Sequence, residues 1–484
     1  MAVVINGTTG ISGVDGSAGT PALQGSDPDT GIFYGTNTVS ISTNGSTAVT
    51  VDANGDTTIA NDLIVNGTTT QTGSTTFTAQ TLFPDGTVSA PSISNTGDVN
   101  TGVYFPAADN VAIATGGVAA LTADSSQNVS VTNTLVMGSS FKRNRIINGN
   151  MLIDQRNAGA SVTPTATGYN LDRWYVAITQ SSKFSVQQNA GSVTPPTGFT
   201  NYWGATSSSA YSVISTDLFL ISQAIEGLNV YDLAWGTANA KTVTLSFWVR
   251  SSLTGTFGGS LTNSGDSRSY PFSYTISSAN TWEQKTITVA GDTTGTWLTT
   301  NGVGLQVRFS LGTGATYSTT ANAWAAGSYY SATGATSVVG TNGATFYITG
   351  VQLEVGSVAT PYERQIYSDQ LAQCQRYYQY WGGSANYERV ASGFWVTTTT
   401  SEVEVPRISV TMRATPTITY SSVSDWNASN YNTNYVCTAI QIGNSSPSSC
   451  SFALTSATGA AAGSVAVMVA NNTTNARLGL NAEL

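Results

Sequence analysis

The sequence contains no histidine. That absence removes the Ser-His-Asp and Cys-His nucleophile systems, together with every zinc site that uses imidazole. Charge is scarce: 9% of residues are Asp, Glu, Lys or Arg, against roughly 25% in ordinary globular domains. Three cysteines, Cys374, Cys437 and Cys450, are too few for a disulfide framework and show no CxxC spacing. A Cys437–Cys450 pair stays open beside the reading of all three as small buried hydrophobes. No apolar run reaches the ~18 residues of a membrane span. The opening MAVVINGTTG lacks the charged start and apolar core of a signal peptide. The expectation is a soluble chain made in a cytosol, with no membrane insertion, no metal and no cofactor.

Absences also divide the chain. Residues 1–141 hold ten Asp but no Glu, Lys, Arg or Trp, whereas all ten tryptophans lie beyond them. Seventeen Lys and Arg stand against the remaining sixteen acids (26 − 10) from Lys142 onward. An acidic front is unsuited to nucleic acid, whose phosphates need clustered cations.

Glycine, threonine, serine, alanine and asparagine fill the space that charge leaves. Among them β-branched residues alternate with polar ones, the pattern of half-buried strands. The fold class is therefore all-β. One phrase is written twice: DTGIFYGTNTVSIST at residues 29–43 and NTGVYFPAADNVAIAT at 100–115. Gly31 matches Gly102, and Val39, Gly45, Ala48 and Asp52 match Val111, Gly117, Ala120 and Asp124. Burying a Val or Ile stabilises by ~1.5–3 kcal/mol, while ordering one residue costs ~1–2 kcal/mol of backbone entropy. A strand set this thin does not hold itself together. Stacked repeats and closure of three identical chains round an axis would supply the missing core and cover strand edges. Two small independent β domains are the alternative.

The phrase SDPDTGIFYGTNTVSISTNGSTAVTVDANGD resembles repeats of tail-fibre proteins from marine and freshwater phages. SFKRNRIINGNMLIDQRN followed by YNLDRWYV is similar to the opening of a fibre-borne jelly-roll domain akin to carbohydrate-binding modules. GVQLEVGSVATPYERQIYSDQLAQCQRYYQ resembles the segment that closes this domain in many phage fibres. The resemblance implies a homotrimeric virion fibre that attaches to tail or baseplate through its N-terminus and adheres to a host glycan or receptor. The organisation expected is an attachment segment over residues 1–26 and an elongated trimeric β shaft over 27–140. A jelly-roll β-sandwich over 141–366 follows, then one short helix and a C-terminal β-sandwich over 367–484. A capsid or baseplate fibre of mainly structural role is the first alternative, and a glycan depolymerase the second.

Residue pattern nominates the binding surfaces. In KTVTLSFWVRSS, Val243, Leu245, Phe247 and Val249 face inward and Trp248 and Arg250 outward; in GVGLQVRFSLG, Gln306 and Arg308 face away from Leu305, Val307 and Phe309. Tyr347 stands opposite Phe346 and Ile348. Rings stack on the apolar face of a pyranose while Arg and Gln bond its hydroxyls, so these five residues suit a sugar. Packing against a neighbouring subunit or a crossing loop is the other reading of them. Loop aromatics Tyr202, Trp203, Trp324, Tyr329 and Tyr330 form a rival site. WNASNYNTNY reads as a loop that mixes rings with amides, as adaptable recognition surfaces do, which nominates Trp426, Tyr431 and Tyr435. Lys142, Arg143 and Arg145 suit an acidic polysaccharide, the acidic front or a neighbouring subunit. Ser368 reads as the helix cap, with Tyr367, Leu371, Cys374 and Tyr378 on one stripe. Glycoside hydrolysis needs two carboxylates ~5–9.5 Å apart. Glu402 and Glu404 share a strand face near Glu388 and Asp425, but such acids read as a solvated edge, so no enzyme is expected.

Overall fold

Each copy of the doubled phrase builds a five-stranded antiparallel sheet with its strands in chain order. This computed structural model describes residues 4–6, 10–12, 15–67, 69–70, 72–74, 76, 80–132, 142–405 and 408–484. They fall into two units, Met1–Leu135 and Val136–Leu484. The first sheet runs Leu23–Gln24, Gly31–Gly35, Thr38–Thr43, Ser46–Val51 and Thr57–Ile59. The second runs Ile93–Asn95, Asp98–Tyr104, Val111–Thr115, Val118–Ala123 and Val129–Val131. Leu23–Gln24 thus joins the first sheet from within the segment expected to serve attachment.

The matched residues are the ones that shape the sheets. A Cβ on Gly31 would lie 2.1 Å from the Leu23 carbonyl oxygen, and one on Gly102 would lie 1.9 Å from that of Ile93. Only glycine lets those strands approach. Asn44–Gly45 and Gly116–Gly117 are left-handed at both residues, as a two-residue hairpin turn with the sheet's twist requires. Asp52 Oδ1 accepts the backbone N–H groups of Asn54 and Asp56, and Asp124 Oδ1 those of Ser126 and Asn128.

The second unit contains a two-layer β-sandwich whose chain crosses repeatedly between sheets, in jelly-roll fashion. The seven-stranded sheet has the order 168–171, 174–178, 218–226, 303–313, 255–262, 268–276, 325–326; the five-stranded sheet has 184–188, 203–207, 345–355, 243–251, 283–289. The inward alternation read from sequence holds: Val243, Leu245, Phe247, Val249, Leu305, Val307, Phe309, Phe346 and Ile348 are all buried between the layers. Arg145 bonds Asp232 at 2.7 Å and the Asn229 carbonyl within this sandwich, so its charge is neutralised locally.

The C-terminal part departs from the expected sandwich. Six strands (389–395, 400–404, 450–456, 434–445, 426–429, 465–470) close into a barrel, beside a three-stranded sheet of 378–381, 478–481 and 417–420. Closure leaves no free strand edge, an advantage for strands this short. Trp395, Trp426, Phe452, Leu454 and Met468 fill its interior. Among the described residues one α-helix is present, Tyr367–Gln375. Ser368 does not cap it: Ile366 holds that position, extended, with no side-chain cap bond. The expected stripe ends early because Tyr378 already belongs to the next strand, leaving Gln370 and Cys374 as the helix's buried residues.

Candidate functional site

The five residues expected to share one sugar-binding face lie on two. Trp248, Arg250 and Tyr347 stand on the outer side of the five-stranded sheet; Gln306 and Arg308 stand on the outer side of the seven-stranded sheet. Alternation fixes which side of its own strand a residue occupies. It does not say to which sheet the strand belongs.

On the five-stranded face Arg250 is the cross-strand neighbour of Tyr347, its guanidinium 5.4 Å from the ring centroid and its Nε donating to the Asn280 carbonyl at 2.9 Å. Tyr347 is buried against Tyr202, with ring centroids 5.2 Å apart. Tyr202 in turn donates its hydroxyl to the Ala190 carbonyl at 2.6 Å and accepts the Val193 N–H at 2.8 Å. Trp282 donates Nε1 to the Thr194 carbonyl and meets Tyr202 edge-on. Segment 189–202 therefore crosses this face, and Tyr347 anchors it. Trp248 remains half-buried beside Arg250.

The seven-stranded face is more polar. Tyr175, Ser222, Arg308 and Ser260 stand in one cross-strand row, and Ala224, Gln306 and Thr262 in the next. Tyr175 donates its hydroxyl to Gln306 Oε1 at 2.7 Å. The Arg308 guanidinium packs 4.2 Å from the Tyr330 ring centroid, and Nη2 reaches Asp266 at 2.9 Å. Tyr330 donates to the same carboxylate at 3.1 Å and stacks on Tyr317, centroids 5.3 Å apart. Burial opposes the charge on Arg308, but Tyr175, Asp266 and Tyr330 outweigh it and raise its pKa. Burial and the neighbouring Asp266 together raise that of Tyr330. The hydroxyls of Ser222, Ser260 and Thr262 and the Arg308 Nε are buried with no hydrogen-bond partner among the described residues. Each such group forfeits about 1–3 kcal/mol relative to its bonded state. Tyr175 in the same row, Asp266 on Arg308, and Tyr317 stacked on Tyr330 are half-buried. Unpartnered hydroxyls beside half-buried rings match the chemistry of a polyhydroxyl ligand.

Sequence reasoning missed Tyr175 and Asp266. Tyr175 was legible, since it alternates with inward Trp174 and Val176. Asp266 sits in a turn after Gly265 and carried no pattern. Of the rival loop aromatics, Tyr202 and Trp203 are buried, and Trp324 joins Trp235 and Trp297 in an edge-to-face trio with centroids 4.8–5.5 Å apart. Tyr329 is half-buried, and Tyr330 alone reaches the Arg308 row.

At the barrel, WNASNYNTNY is a hairpin rather than an open loop: Trp426–Ser429 pairs with Asn434–Ser445. Its first ring is fully buried in the core, so Trp426 has no face free for a sugar. Tyr435 is half-buried and meets Trp395 edge-on at 5.3 Å. Tyr431, at the turn, is 57% exposed, with Arg389 placed 4.5 Å from its centroid. Cys374, Cys437 and Cys450 are all free and buried. Burial pushes the Cys437 thiol up to about 12 and Cys450 to about 11.

No family model matches this chain, and no curated protein does. Solved structures give loose likenesses. The enzymatically active domain of bacteriophage CBA120 tailspike protein 4 is 11% identical over 44% of this chain and 22% of its own length, with a TM-score of 0.25. A family 4 carbohydrate-binding module is 15% identical over 43% of this chain and 98% of its own, TM-score 0.22. The family 11 carbohydrate-binding module of a Clostridium thermocellum cellulosomal cellulase is 12% identical over 42% and 100%, TM-score 0.21. At such scores the weight rests on the residues themselves.

Proposed function

We propose that this chain is a homotrimeric fibre protein of a phage virion. In this reading its N-terminus attaches to tail or baseplate, and its second unit adheres to a glycan of the host surface. The observation that supports adhesion most is the pair of rows through Arg308 and Gln306, where among the described residues the Ser222, Ser260 and Thr262 hydroxyls and the Arg308 Nε lack partners, with Tyr175 and Asp266 beside them. Sugar hydroxyls both donate and accept, so one pyranose edge answers several of these groups at once. The rings beside them offer flat apolar surface for the other edge. Three copies on one particle let individually weak sites hold together. We read the chain as an adhesin rather than a depolymerase. Glu402 and Glu404 alternate with buried Ser401 and Val403, which puts both on the barrel's outer side, and Glu402 is occupied by the Ser451 hydroxyl.

The test is adhesion of the labelled full chain to host cells before and after mild periodate oxidation of surface sugars. Loss of binding after oxidation is expected. Undiminished binding would overturn the glycan reading and favour a protein receptor or a purely structural fibre.

A further inference from the structure

Each repeat sheet leaves its more apolar face uncovered. In the first, Leu23, Ile32, Ile41, Val49 and Ile59 stand directly opposite one another across all five strands. In the second, Ile93, Val103, Ile113, Leu121 and Val131 do the same. No member of either row is buried, and Ile41 and Ile113, at the centres, are 43% and 41% exposed. Flanking residues extend the surface: Tyr34, Val39 and Val51 in one sheet, Val111 and Val129 in the other, are all exposed. Within the two sheets, the residues that the single chain does bury belong to the opposite face. They are Ser40 and Ser42 in the first repeat and Tyr104, Ala112 and Ala114 in the second.

This is the reverse of an ordinary half-buried sheet, in which the aliphatic side forms the core. Two continuous five-residue aliphatic rows facing water exceed what a solitary chain leaves exposed. Neither row carries a charge. The ionisable groups of residues 1–141 are aspartates and tyrosines, and Asp52 and Asp124 are occupied in their turns. A small ligand needs polar groups to fix its orientation, and the rows supply none.

We infer that the two aliphatic rows are the contact between copies of this chain, each row packing on its counterparts from the other protomers. The occupant is argued from the duplication. The same five positions are aliphatic in both repeats, so two copies set side by side match at both places at once. A single foreign partner has no need of the surface twice. The inference deepens the fibre reading above and rests on it for the assembly, while standing apart from the glycan site.

The test uses the full chain in sedimentation velocity. Wild type should run as one oligomer, and Ile41→Glu with Ile113→Glu should run as monomer at the same concentration. Thr58→Glu with Ser130→Glu places the same charges on exposed positions of the opposite faces and should leave the oligomer intact. Cysteine pairing covers the case in which the glutamates unfold the sheets. Ile41→Cys should form interchain disulfides on mild oxidation, and Thr58→Cys should not. An unchanged oligomer in the Ile41/Ile113 variant, a monomeric wild type, or equal cross-linking at both positions would each overturn the inference. Periodate-resistant adhesion with these sedimentation results intact would instead sink the glycan reading alone.

Discussion

Glu483, just past the 478–481 strand, ties the three-stranded sheet beside the barrel to the sandwich, and replacing it by glutamine should be severe. Its carboxylate is 4% exposed and pairs with Arg156 at 2.8 Å and with Arg173, whose side chain is 1% exposed. Arg173 also donates to the Ala224 carbonyl and stacks 3.6 Å from the centroid of Tyr377, which bonds Glu226 at 2.7 Å. Glu483→Gln keeps the shape and one acceptor oxygen but leaves Arg173 charged, buried and without its counter-ion. Breaking a buried pair from one side costs about 3–5 kcal/mol. Urea unfolding followed by tryptophan fluorescence is the assay, because all ten tryptophans lie beyond Phe141 and report on this part of the chain. Arg173→Met with Glu483→Leu should recover part of the loss, since an apolar pair replaces the most buried ions while Arg156 still lacks its carboxylate. A Glu483→Gln variant within about 0.5 kcal/mol of wild type, well below the range for buried pairs, would refute the reasoning.

Two further outcomes follow from burial. Trp426→Ala should destabilise the barrel by about 3–5 kcal/mol, with a matching fall in urea midpoint, whereas Tyr431→Ala at the exposed turn should leave the midpoint unchanged; equal effects would contradict the placement of the rings. Asp172 is fully buried and accepts both the backbone and the side-chain N–H of Gln155, and burial raises its pKa from 3.8 to about 7. The folded chain thus holds a proton that the unfolded chain releases, so this residue detracts nothing below pH ~4. Its penalty grows as pH rises toward 7 and is then complete, at about 4 kcal/mol for the full shift. Asp172→Asn should gain on wild type progressively between pH 4 and 7.5 in urea unfolding, and a pH-independent difference would exclude the effect.

The strands were legible because their periodicity is local. Val243 to Arg250 alternates in the sequence and in the sandwich alike, and the matched Gly31 and Gly102 already marked two equivalent sheets. Placement between layers was not legible. Trp248 and Arg308 both point outward, yet sheet membership depends on pairings between residues scores of positions apart, such as Ser222 with Arg308. For the same reason the sequence of WNASNYNTNY presents its rings as surface. Their amides suggested a loop, while closure of the barrel turned Trp426 inward. The aliphatic rows were hidden differently: each strand contributes one visible residue, and only the register lines up five.

The seven-stranded face should meet sugar, and the five-stranded face should not. Once periodate-sensitive adhesion has identified a host polysaccharide, its dissociation constant should be measured by calorimetry for wild type, Arg308→Ala and Trp248→Ala, each verified as folded by urea midpoint. Arg308→Ala should weaken binding at least about tenfold, as loss of a charged hydrogen-bond donor of ~1.5–3 kcal/mol requires, while Trp248→Ala stays near wild type. Unchanged affinity in the folded Arg308 variant would contradict the assignment of the glycan site to the seven-stranded face.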